Sequence, residues 1–151
     1  MMPTDTLGVN AMTVSVEDRL AIGDLFARYM WAIDTGDVEG LVACFTEDGA
    51  LESPAVGRYA GRDEVRAFAA RFARFHATGT QLRHVISNLI IEAEGNRGFA
   101  KCYLVTFLTK DGQSRLLGPG RYECRLRKEN GAWRFENRLV VMDHDYVLEG
   151  I

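Results

Sequence analysis

The stretch RHVISNLIIEAE, Arg83 to Glu94, decides the fold, because the period of the hydrophobic pattern changes as the chain reaches it. Here apolar residues recur every second position or run together, the signature of a strand. Everything upstream recurs near 3.6. Ser15-Val-Glu-Asp18 has the form of a capping box. Ile22, Leu25, Phe26, Tyr29 and Ile33 follow at helical spacing, and Gly36 suits a C-terminal cap. Asp37 can cap a short second helix carrying Val38, Leu41, Val42 and Phe45. TEDGALES, 46–53, reads as a turn and a short strand. A third helix is predicted after GRYAGRDE, 57–64, with Val65, Phe68, Ala69, Phe72 and Phe75 on one face.

Downstream the period stays at two. GNRG, 95–98, is a turn, and FAKCYLVTFLTK, 99–110, is apolar on both faces, as in a central strand covered on each side. KDGQ, 110–113, signals a hairpin. GRYECRLRK, 120–128, alternates Tyr122, Cys124 and Leu126 with Arg121, Glu123, Arg125 and Arg127. After the ENGAW turn, Trp133, Phe135, Leu139 and Val141 continue the last strand. Arg138 could reach a substrate carboxylate, but its alternation with Arg134 and Glu136 more simply marks a polar strand face. GPGR, 118–121, lacks the context of a phosphate loop and reads as a bend or bulge. Helices first, then a meander of long antiparallel strands, is the α+β signature. Helices over one face of a curved sheet would enclose an apolar pocket, and the other face would need a partner. A homo-oligomer is expected, a dimer before a trimer.

The chain has 151 residues and a net charge of −3, which fits one domain of 15–147 between a flexible N-terminal arm, 1–14, and a C-terminal tail, 148–151. No excess of Lys and Arg favours nucleic acid or an anionic membrane. No apolar run reaches the length of a span. Cys44, Cys102 and Cys124 are odd in number and lie inside apolar or alternating runs, so reduced, buried thiols in a cytoplasmic protein are expected. The three His residues are never paired at i, i+4 and there is no Cys cluster, so a metal site has no sequence support. His76 ends the third helix, where its charge suits the dipole, and His144 lies in a solvated tail.

The order of elements, with RYMWAIDTGDVEGLVACFTEDG (28–49), the G-x-x-x-G-R-D-E-V approach to the third helix (57–65), RHVISN (83–88) and GRYECRLRKENGAWRF (120–135), resembles the SnoaL-like branch of the nuclear transport factor 2-like superfamily. The resemblance implies a cone-shaped α+β domain. Dehydratases and related lyases of that superfamily, such as scytalone dehydratase, bile-acid dehydratase and lindane dehydrochlorinase, use an acid at the end of the first helix with a His on the first long strand. The bile-acid enzymes add a Tyr five residues before the acid. Those positions fall on Asp34, His84 and Tyr29. The bile-acid enzyme's further carboxylate on the next strand has no counterpart, since Val105 and Thr106 stand there.

The chemistry of these types is coherent. A His with a pKa near neutrality can abstract a proton, an Asp on its other nitrogen fixes the tautomer, and a Tyr hydroxyl can donate to a developing oxyanion or a departing hydroxyl. The resemblance thus implies a cofactor-independent lyase or isomerase acting on a small hydrophobic cyclic carbonyl compound such as a steroid or polyketide. Each residue also has a structural reading: Tyr29 as a core Tyr with a satisfied hydroxyl, Asp34 as an Asx-type turn with Gly36. Strand alternation puts His84, Ile86, Asn88 and Ile90 on one face, so Asn88 is expected to line the substrate site, with Tyr103, Trp31 and Phe107. The tail G-R-Y…W-R-F also resembles the small subunits of ring-hydroxylating dioxygenases, which implies a non-catalytic binding or accessory module as the alternative.

Overall fold

The computed structural model describes residues 14–151; all but the last residue of the predicted arm lie outside the described residues. Helix α1, Val16–Thr35, starts where Ser15 accepts a hydrogen bond from the Asp18 N–H at 3.1 Å, and it ends at Gly36, whose φ of 75° only glycine adopts freely. Its buried stripe is the predicted one, Ile22, Leu25, Phe26, Tyr29 and Ile33. Asp37 caps α2, Val38–Val42, by accepting from Gly40 N–H at 3.0 Å. The chain then forms β1, Phe45–Ser53, and β2, Gly57–Ala60, a hairpin where the sequence suggested one short strand. Helix α3, Arg62–Ala77, follows, then β3, Gln81–Glu94, β4, Arg97–Lys110, β5, Gln113–Glu129, and β6, Ala132–Met142.

The strands form one sheet in the order β2-β1-β6-β5-β4-β3. The sheet is mixed, not wholly antiparallel, because β1 runs parallel to β6. That pairing follows from the helical connection: the chain returns to the sheet edge through α3 and the meander rather than through a hairpin. The helices cover one face, with α1 against β3 and β6. Phe26, Phe45 and Tyr29 gather round Phe135, with ring centroids 5.1 to 5.8 Å from it at steep angles.

Besides an irregular stretch of β1 between Phe45 and Ala50, bulges in β3, β5 and β6 set which residues face inward. On β3 the register steps from Ser87↔Tyr103 to Ile90↔Lys101, one residue more than β4 supplies. On β5 the extra residue is Leu117, immediately before the GPGR stretch. On β6 the step from Arg125↔Asn137 to Leu126↔Phe135 leaves Glu136 over. A bulge moves every later side chain to the opposite face. The last strand therefore buries Trp133 and Phe135 in the core and then turns Arg138 and Val140 to the cavity, while Leu139 alternates to the other face and is buried there. The C-terminal residues do not form a free tail. Leu148 is buried, Ile151 packs on the core, and Arg71 donates to the Ile151 main-chain oxygen at 3.2 Å.

Candidate active site

Asp34 is in the last turn of α1, and the predicted strand His lies directly against it. Asp34 Oδ1 is 2.6 Å from His84 Nδ1, and Asp34 Oδ2 accepts from the His84 main-chain N–H at 2.9 Å. The Asp34 carbonyl in turn accepts from Gln81 Nε2 at 2.7 Å. Helix end and strand are thus stitched together through one residue, and Asp34 is buried. An ionised carboxylate can only accept, so Nδ1 carries the hydrogen, and in the neutral ring Nε2 then presents its lone pair. Tyr29 and Asp34 are about 140° apart on an ideal helix, and they point differently: Asp34 reaches sideways to β3 while Tyr29 faces the core, where it lines the same cavity as His84.

His84 lines a cavity of about 30 Å³ between helices and sheet, walled by Tyr29, Ile33, Phe72, Leu104, Thr106, Leu117, Tyr122, Arg138 and Val140. Thr106, the residue paired with His84 across β3 and β4, is buried and faces the same space. Loop and tail residues Ala55, Tyr146 and Leu148 close the rest. Burial pushes the Tyr29 hydroxyl up to about 12, against the pull of Arg138, so it stays a neutral donor. Its ring is also a packing element, which keeps both readings of Tyr29 in force.

Residues 14–139 match the family model described as a SnoaL-like domain. The chain belongs to that family. Among solved structures, this SnoaL-like domain is similar to a protein of unknown function from Mycobacterium tuberculosis, with 34% identity over 87% of this chain and 79% of that one and a TM-score of 0.78. A Nostoc punctiforme protein of unknown function with a cystatin-like fold matches at 29% identity over 86% and 94%, TM-score 0.73. A candidate aromatic ring hydroxylase from Novosphingobium aromaticivorans matches at 25% over 88% and 94%, TM-score 0.74. A candidate scytalone dehydratase from the same organism shares the fold at 21% identity over 89% and 91%, TM-score 0.75. No curated protein matches the chain. No helix among the described residues is long and apolar enough to cross a membrane.

The four predicted lining residues are not at this cavity. Trp31 is 72% exposed on the outward side of α1. Tyr103 and Phe107 project from the other face of β4, at 59% and 41% exposure. Asn88 sits in the β3 bulge with φ 58°, a left-handed conformation that Asn tolerates, and it is turned outward. It lines a surface recess with Ile90, Tyr103 and Arg121 instead. Strict alternation from His84 predicted the reverse, and the inserted residue is the reason it fails.

The residue that the sequence reading set aside as part of a polar face is Arg138. It is 0% exposed and lines the cavity. Its guanidinium carbon lies 3.7 Å from the Tyr122 ring centroid, 4.0 Å from Tyr29, 4.5 Å from Phe135 and 5.1 Å from Phe26. The signal was faint: an Arg two residues past a surplus polar position, in a strand whose register no sequence rule fixes.

Proposed function

We propose that this SnoaL-like domain is a cofactor-independent lyase or isomerase that abstracts a proton beside the carbonyl of a hydrophobic cyclic compound. The observation that carries this is the 2.6 Å contact between His84 Nδ1 and Asp34 Oδ1 on the wall of a largely apolar cavity. His84 Nε2 takes the proton. Asp34 holds the tautomer and stabilises the imidazolium as it forms. The enolate or leaving hydroxyl then meets the neutral hydroxyl of Tyr29. The cavity, about 30 Å³, has room for about two waters, so a ring substrate enters as Ala55, Tyr146 and Leu148, the irregular parts of the wall, give way.

The test is solvent-deuterium exchange into a panel of cyclic ketones and hydroxyketones, followed by mass spectrometry. Exchange that is catalysed by the protein and lost in His84→Ala supports the reading. Equal exchange by both proteins ends it. A binding module without chemistry is the second reading, favoured by the small closed cavity; saturable ligand binding with no exchange in any substrate would establish it.

A second copy of the chain is the proposed partner. The outer sheet face exposes Val85, Ile90, Tyr103, Phe107 and Leu116 on three adjacent strands, more contiguous apolar surface than isolated exposed residues would give. Light scattering of the wild type and of Val85→Glu/Phe107→Glu tests this: an oligomer that becomes a folded monomer is expected, and a monomeric wild type rules it out.

A further inference from the structure

A guanidinium wholly removed from water requires hydrogen-bond acceptors and, for its charge, an anion. Arg138 has neither in full. Nη1 donates to Cys124 Sγ at 3.4 Å, while Nε and Nη2 are buried without a partner. No carboxylate among the described residues forms an ion pair with it. The neighbouring phenols and thiol supply no charge either: burial holds the Tyr122 hydroxyl well above its usual range and Cys124 up to about 12, each against the pull of Arg138. The rings around it offer cation–π attraction, and the Tyr29 and Tyr122 hydroxyls lie near enough to interact with Arg138, yet neither is placed to accept a well-formed hydrogen bond from Nε or Nη2.

The identity of the two unsatisfied nitrogens is informative. Nε–H and one Nη–H pair point the same way along one edge of the guanidinium, the edge that takes a carboxylate through two parallel hydrogen bonds. We propose that Arg138 is the ligand-recognition residue of this cavity and that the ligand bears a carboxylate, bound side-on by Nε and Nη2. The substrate class narrows from a cyclic carbonyl compound to one that also carries an acid group. The space of about 30 Å³ beside Arg138 and His84, about two waters' worth, is what two carboxylate oxygens would displace. This assignment depends on the cavity being the ligand site, as proposed above, and not on proton transfer by His84.

The experiment compares acids with their uncharged amides: benzoate against benzamide and 2-naphthoate against 2-naphthamide, by calorimetric titration and thermal shift on the full chain. Wild type is expected to bind at least one acid about 10- to 100-fold more tightly than its amide, the range of a hydrogen-bonded charge. Arg138→Met, close in volume and unable to donate, should abolish the preference. Arg138→Lys, a point charge without the fork, should reduce it, and serves as the variant of record if Arg138→Met does not fold. His84→Ala should keep the preference while losing deuterium exchange, so failure of the chemistry and failure of the recognition are read separately. Equal binding of acid and amide by wild type, an undiminished preference in the Arg138 variants, or no binding of either acid would overturn the assignment.

Discussion

Two polar centres share the cavity wall and are built in opposite ways. At the meeting of α1 and β3, Asp34 has both carboxylate oxygens engaged by His84, and its carbonyl is engaged by Gln81. At β6, Arg138 is more deeply buried and has two nitrogens with no partner. The first centre is complete without a ligand, so its cost of burial is already met by hydrogen bonds. The second is complete only when something else arrives. A finished pair suits a group whose orientation must be fixed before reaction, while an unfinished one suits a group that selects what comes in.

The largest expected effects break the finished centre. His84→Ala should lower catalysed exchange by about 10²–10⁴-fold, the usual contribution of a positioned general base. Asp34→Asn should act in the same direction because an amide can hold the ring in the wrong tautomer. Circular dichroism should show both variants folded, and a rate unchanged in either would remove the pair from the chemistry. At the unfinished centre the sign of the stability change should invert. Arg138→Met exchanges an unpaired buried charge for an apolar side chain, and its unfolding free energy should be unchanged or higher by about 1–4 kcal/mol. A clear loss in denaturant titration would mean that the aromatic cage already stabilises the cation in full.

A smaller effect is expected at the cover that both centres share. Leu148→Ala should cost about 2 kcal/mol, near the low end for a buried Leu because the end of the chain can relax around it, and it should speed ligand association in stopped-flow measurements. An unchanged association rate would show that ligands reach the cavity elsewhere, past Ala55. The smallest effect comes from a second imidazole that sharpens the contrast with His84. His76 donates from Nδ1 to the Thr80 carbonyl at 3.1 Å, and its buried Nε2 has no partner. Burial lowers its pKa, so the native state favours the neutral ring. Its contribution to stability is present above the unfolded value of about 6.5 and is lost as pH falls through the lower folded value. Melting temperatures of wild type and His76→Gln should converge as pH drops below about 6.5, and parallel curves would refute it.

The elements were legible because each rests on local rules, whereas the pairing of Asp34 with His84, 50 residues apart, was reached only through the family resemblance. Ser15 and Gly36 bracket α1 by capping chemistry, and the apolar spacing names its buried stripe. Asp34 falls in the terminal turn simply by its distance from Gly36. The GRYA strand was less legible, since four residues, half of them polar and mostly exposed, carry little periodic signal. The lining residues failed for a sharper reason. Asn88 and Arg138 were both assigned by counting in twos along a strand, and an inserted residue intervenes before the count is complete in one case and just before it in the other. Bulge positions depend on how neighbouring strands twist and pair, a property of two segments distant in sequence.

The Glu136 bulge makes cavity chemistry a matter of strand register as well as residue choice. Were Glu136 drawn into the ladder instead of being left over, unbroken alternation would present Leu139 to the cavity and send Arg138 to the outer face, with strand order and hairpin connections intact. A charged recognition site and a greasy one are therefore a one-residue slip of register apart on this scaffold. Ligand preference could change between descendants of such a chain without any substitution at a position that touches the ligand.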